Sequence, residues 1–164
     1  MSGTRAKAEE IFYQKIEDLT KTNDPSKDKA FTRWICQEYF PGLEDEMDID
    51  EAISIGSSRD SGIDIFFHRE DVDRTEEYLY WVQAKYSENG KKEVTQEELE
   101  HFANSIDRLE NWNAQANVNK MFKEAGEKFC DLRRGGGITM RMFFVVAGKL
   151  SGQAQKNYED REWH

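Results

Sequence analysis

Apolar positions along the chain follow two periods, and the switches between them mark the elements. Ala8, Ile11, Phe12, Ile16 and Leu19 recur at helical spacing and predict a helix over 5–19. The polar stretch 22–27 (TNDPSK) interrupts it, with Asp24 before Pro25 as a start signal for the next helix. That second helix is predicted over 29–40, stopped by Pro41-Gly42. Its Phe31, Trp34, Ile35, Glu38 and Tyr39 fall at i, i+3, i+4, i+7 and i+8, which places an acid on the core-facing stripe. Residues 52–55 predict a short strand. The segments 62–68 (GIDIFFH) and 78–86 (YLYWVQAKY) are rich in β-branched and aromatic residues and predict two strands, with polar 69–77 as a hairpin connection.

Further along, Thr95-Gln-Glu-Glu98 has capping-box spacing and starts a helix whose apolar face is Leu99, Phe102, Ala103, Ile106 and Leu109. Another helix over 117–133 turns Val118, Met121, Phe122, Ala125, Phe129 and Leu132 inward and ends at Gly135-Gly136-Gly137. The continuous apolar run 138–147 (ITMRMFFVVA) predicts a strand buried on both faces. A turn over 148–151 leads into a last helix with Ser151 as its cap. The order is α-α-β-β-β-α-α-β-α, an α/β chain.

Composition narrows the function. With 164 residues and 37% hydrophobic content, one domain can bury a real core. A formal net charge of −10 excludes gripping nucleic acid or an anionic membrane by overall charge alone. No apolar run approaches the ~18 residues of a membrane span. The N-terminus lacks an apolar signal core, and Cys36 and Cys130 form neither a disulfide framework nor a zinc set. A soluble, cytoplasmic protein is expected. The charge is uneven: residues 38–51 hold seven acids and no base, whereas 117–149 hold seven bases against three acids. These windows read either as solvated faces or as a basic track beside an acidic pocket.

The candidate chemistry lies on the two aromatic strands. Residues two apart share a face, so Gln83 and Lys85 point the same way, while Ile63, Ile65 and Phe67 share the face opposite Asp64. A hairpin register of odd sum, such as 64 opposite 83, brings Asp64 beside Gln83 and diagonal to Lys85; an even sum separates them. Asp64, the Gln83 side-chain oxygen and the Ala84 carbonyl then offer oxygen ligands to a hard divalent ion such as Mg²⁺, with Mn²⁺ as a substitute. Lys85 is placed to orient a water and to stabilise a negative transition state. A second carboxylate is chemically desirable, and Glu38 and Asp60 are the candidates. The competing reading is an ordinary acid at a strand start and a solvated strand face.

The turn Gly56-Ser-Ser-Arg-Asp60-Ser-Gly62-Ile63-Asp64, followed by Trp81-Val82-Gln83-Ala84-Lys85-Tyr86, resembles the PD-(D/E)XK nuclease superfamily. The pattern is most similar to its D–QxK branch, seen in Mrr-like restriction endonucleases and the AIPR abortive phage infection proteins. The resemblance spans 28–152, taking in a preceding helix with Phe31 and Trp34 and the run Val146-Ala-Gly-Lys149. It implies a restriction-endonuclease-like α-β-β-β-α-β core with a mixed central sheet flanked by helices, use of a divalent metal, and nucleic-acid cleavage, with DNA the favoured substrate in restriction or phage defence and RNA the alternative. By position it carries over Asp64, Gln83 and Lys85 as catalytic residues, Glu38 as the first-helix acid and Asp60 as the acid of the glycine-rich turn. The motif's proline is replaced by Ile63, and AIPR proteins are usually much longer, so the chain is expected to represent the nuclease portion. Residues 1–27 then form a helical N-terminal extension and 153–164 a C-terminal helix of a single domain.

Six cations are candidates for contacting nucleic acid: Lys91 and Lys92 after the Lys85 strand, Lys120 and Lys123 on one helix side, and Arg133-Arg134 before the glycines. The competing reading is a solvated face for Lys120 and Lys123 and a helix-end cation for Arg133-Arg134. A non-catalytic nuclease-like binding or assembly domain is the second functional expectation. A homodimer, or further domains or subunits, is the expected assembly, with no membrane partner.

Overall fold

A computed structural model describes residues 2–22, 26–46, 48–53, 63–70, 77–114, 120–136 and 138–153. The chain is mixed α/β. Its elements run α1 (Ser2–Thr22), α2 (Lys27–Tyr39), α3 (Leu43–Glu46), α4 (Ile49–Ile53), β1 (Ile65–Glu70), β2 (Glu77–Lys85), β3 (Glu93–Val94), α5 (Gln96–Ala103), α6 (Ser105–Glu110), a 3-10 turn at Trp112–Ala114, α7 (Lys120–Gly135), β4 (Ile138–Val146) and β5 (Lys149–Leu150). A three-stranded sheet of order β1-β2-β4 forms the centre, antiparallel between β1 and β2 and parallel between β2 and β4. A second, two-stranded parallel sheet joins β3 to β5.

Helices cover both faces of the central sheet. On one side Ile16 of α1, Phe31 and Ile35 of α2 and Ile49 and Ala52 of α4 pack on Ile65, Phe67, Tyr80 and Val82. On the other, Phe102 of α5, Leu109 of α6 and Phe122, Ala125 and Phe129 of α7 pack on Phe66, Leu79 and Trp81. The period-two alternation of β1 and β2 feeds both layers, and each fully buried large side chain contributes about 1.5–3 kcal/mol.

The hairpin register is the odd-sum one: Ile65 faces Val82 and Phe66 faces Trp81. At the entrance to β1, the Asp64 N–H donates to the Val82 carbonyl (2.8 Å), although Val82 already faces Ile65. Two consecutive residues thus oppose one, as in a β-bulge. The step changes phase, so Ile63 joins the layer of Phe66 and Trp81 while Ile65 and Phe67 occupy the other. The expectation that Ile63, Ile65 and Phe67 share a face is corrected accordingly.

Several element expectations also change. Residues 52–53 are helical, because Asp48 starts α4: its carboxylate accepts from the Asp50 N–H (2.9 Å) and its carbonyl from the Ala52 N–H (3.2 Å). The second helix is capped by Ser26, whose hydroxyl accepts from the Lys29 N–H; Asp24 and Pro25 lie outside the described residues. So do residues 56–62 of the glycine-rich turn and 71–76 of the hairpin connection. The helix over Leu99–Leu109 breaks at Asn104 into α5 and α6, where Ser105 donates to the Phe102 carbonyl and competes with continued helix. The strand β4 is an edge of the described sheet, so alternate residues Thr139, Arg141 and Phe143 are exposed and the run is not buried on both faces. Residues 149–150 form β5 in place of a turn; of the last helix, expected over 153–164, Gly152 and Gln153 are helical and residues 154–164 lie outside the described residues. Among the described residues no helix is long and apolar enough to cross a membrane.

Candidate functional site

The central strand β2 delivers the site at its C-terminal end. Alternation places Trp81, Gln83 and Lys85 on one face. Gln83 retains 7% of its exposure, and its Oε1 is buried with no hydrogen-bond partner. A buried carbonyl oxygen without a donor costs about 1–3 kcal/mol. Asp64 enters from the bulge. Its Oδ2 accepts from the Ala84 N–H at 2.7 Å, which locks the carboxyl to the backbone of β2.

Burial pushes the Asp64 carboxyl above the ordinary carboxylate range. The Ala84 N–H and the Lys85 ammonium draw it back, and the negative charge of Asp28 adds to the rise. Asp64 therefore lies within reach of the Lys85 charge. The Lys85 ammonium also meets Glu98 Oε1 at 3.7 Å, with both side chains about two-thirds buried.

Glu98 belongs to the capping box of α5. The Thr95 N–H donates to its Oε2 (2.9 Å), and the Glu98 N–H donates to the Thr95 hydroxyl (3.2 Å). Burial raises the Glu98 carboxyl, but the Thr95 N–H, Lys85 and Lys92 together hold it below its usual value.

Neither Asp28 nor Glu98 is marked as a site residue by the sequence. Both sit in the first turn of a helix, where an acid is favoured by the helix dipole and is usually explained by that alone. The capping box at Thr95 is visible in the sequence, but the strand end that its helix start meets is not.

The other expected residues separate from this cluster or lie outside the described residues. Glu38 was expected on a core-facing stripe; it is exposed and paired with Lys15 of α1 at 3.0 Å. The stripe that α2 buries is Ala30, Phe31, Ile35 and Cys36, and its last turn runs past the packed surface, leaving Tyr39 60% exposed. Asp60 lies outside the described residues. The contact seen for Ala84 is its N–H to Asp64. On α7, Lys120 pairs with Glu124, Lys123 with Glu127, Arg133 with Glu110 and Arg134 with Asp131. Lys123 also lies over the Trp112 ring, 5.4 Å from its centroid. Lys91 and Lys92 are exposed in the turn between β2 and β3, with no ion pair among the described residues. His68 lies 3.4 Å from Glu77.

The donor set fits a hard cation sparingly. A buried carboxylate whose ionisation burial opposes, and a buried amide oxygen without a donor, are both relieved by a positive ion. Among the described residues no three acid, histidine or cysteine side chains come together as a metal-ligand group. Few protein ligands suit Mg²⁺, which keeps several waters. Comparisons with protein-family models, with curated proteins and with solved structures return no match to this chain.

Proposed function

We propose that the chain is a Mg²⁺-dependent nuclease that hydrolyses phosphodiester bonds of DNA, in a restriction or phage-defence setting. The observation that supports this reading is the buried Asp64 carboxyl, held by the Ala84 N–H at 2.7 Å and within electrostatic reach of Lys85, next to a strand whose Gln83 oxygen is buried without a partner. Asp64 and Gln83 would hold the cation. When bound, such an ion neutralises phosphate charge and lowers the pKa of a coordinated water. Lys85 places an ammonium where negative charge develops on the phosphate, a contribution of about 3–4 kcal/mol in sites of this kind. Ala84 fixes the Asp64 carboxyl through its N–H, so the ligand needs no reorganisation. Within this reading the β1–β2 hairpin, parallel β4 and flanking helices form a restriction-endonuclease-like core.

The test is cleavage of duplex DNA, single-stranded DNA and RNA with Mg²⁺ or Mn²⁺. Wild type cuts DNA, and Asp64→Ala and Lys85→Ala lose ~10²–10³ or more in rate while remaining folded. Equal activity in all three proteins removes the proposal, and cleavage of RNA alone changes its substrate. A second reading, a non-catalytic binding or assembly domain, draws support from the pairing of all four candidate cations on α7 with acids. Divalent-ion-independent binding without cleavage is its signature.

A further inference from the structure

We propose that Glu98 is a positioning residue for Lys85: one carboxylate oxygen closes the cap of α5 while the other holds the lysine ammonium beside Asp64. The inference rests on the nuclease reading and adds a residue that neither strand motif contains.

The geometry divides the two oxygens of Glu98. Oε2 accepts from the Thr95 N–H at 2.9 Å, and Oε1 lies 3.7 Å from the Lys85 ammonium. The carboxylate is thus anchored at its back before it meets the lysine. An exposed lysine on a four-carbon stem gains little from an ion pair, because ordering the stem offsets the attraction. Here the partner is already ordered by a helix start, and both side chains are about two-thirds buried. The helix start is itself tied down. Val94, just before Thr95, is fully buried, and its carbonyl accepts from the Ser151 N–H at 2.9 Å, where β3 runs beside β5.

The charges facing Lys85 come from three elements. Asp64 precedes β1, Glu98 starts α5, and Asp28 in the first turn of α2 acts on Asp64. The charge of Lys92 also acts on Glu98, without an ion pair between them. With Glu98 in place, the Lys85 ammonium has an anchored partner while its charge acts on Asp64 at longer range. Without the Glu98 charge, Lys85 is free to leave Asp64 or to close fully onto it. In either case the ammonium is no longer fixed relative to a phosphate, and misplacement of about 1 Å costs up to ~10² in rate.

Glu98→Gln separates the two duties. Glutamine at the third helical position still completes a capping box, so α5 keeps its start while Lys85 loses its charged partner. The whole chain, labelled at lysine side chains, is compared by NMR as wild type, Glu98→Gln and Thr95→Ala. In Glu98→Gln, Lys85 side-chain mobility rises while the melting temperature stays near wild type. Thr95→Ala, which loosens the anchor and leaves every charge in place, gives a smaller change in the same direction. Unchanged Lys85 mobility in Glu98→Gln overturns the inference, whatever the cleavage assay shows.

The same proteins are then assayed on duplex DNA with Mg²⁺. A kcat lowered ~10–10²-fold at unchanged KM supports positioning. Full activity in Glu98→Gln overturns it and leaves the nuclease reading standing. An inert wild type whose Lys85 is nevertheless released by Glu98→Gln supports the tether and overturns the nuclease reading.

Discussion

Asp64 carries its carboxyl into a buried strand end with one backbone N–H to accept from, a lysine nearby and a second acid opposed to it. Because burial raises its folded pKa above the unfolded value near ~3.9, its protonated form favours the fold. That stability is fully present below the unfolded pKa and is lost as pH rises through the folded pKa. Asp64→Asn keeps an oxygen for the Ala84 N–H and removes the charge. Measured without divalent ions, the variant melts above wild type at pH 7, the gap closes towards pH 3, and cleavage is lost. A lower melting temperature at pH 7 contradicts the assigned cause. Glu98 has the opposite sign: its folded pKa is lowered, so its contribution is present above the unfolded value and is lost as pH falls through the folded one. At this scale alternation in the sequence settles that Gln83 and Lys85 share a strand face, whereas the bulge at Asp64, which shifts the phase of its flank, carries no sequence pattern. Asp28 and Glu98 were not legible, because helix starts reach the strand end only through tertiary docking.

Helix α7 shows where local preference and packing disagree. Gly126 lies in its interior, where alanine is ordinarily better by about 1 kcal/mol. A Cβ at Gly126 overlaps the indole ring of Trp112. Gly126→Ala is therefore expected to destabilise by about 1–3 kcal/mol, through overpacking, despite its better propensity. Urea denaturation checks the sign, and a gain in stability shows that the ring swings away at little cost. Elements with a strong period were legible: α1, α2, α7, β2 and β4 all fall close to where the pattern predicts them. The helix end before Gly136, at φ +70°, was marked by the glycine run. Short elements were not legible. Residues 52–53 are helix because Asp48 caps them, and 149–150 are strand because β3 lies alongside. Gly148 serves the second arrangement, since a Cβ there meets the Lys92 carbonyl oxygen at 2.5 Å.

Over the whole molecule, a net charge of −10 makes the placement of cations outside ion pairs decisive. The expected basic strip on α7 is largely neutralised within the chain, whereas Lys91 and Lys92 project next to the Lys85 strand. Replacing Lys91 and Lys92 together by alanine should weaken DNA binding and flatten its salt dependence by about 0.9 in log–log slope for each phosphate no longer neutralised. Replacing Lys120 and Lys123 should leave the slope close to wild type. Titrations at several salt concentrations decide, and the reverse ranking relocates the nucleic-acid path to α7. The α/β class and both layers of helices follow from periodicity, while the joining of β3 to β5 does not, being too short to carry a pattern.

The step at Asp64 also governs how this corner of the protein can vary. Two residues sharing Val82 shift the alternation by one, so Ile63 and Ile65 serve opposite layers of the protein. Removing a single residue there would restore simple alternation and swap the destinations of side chains on one flank. The corner should thus accept exchanges of side-chain type far more readily than changes in chain length, and the spacing between Ile63 and Ile65 is what a redesign must conserve.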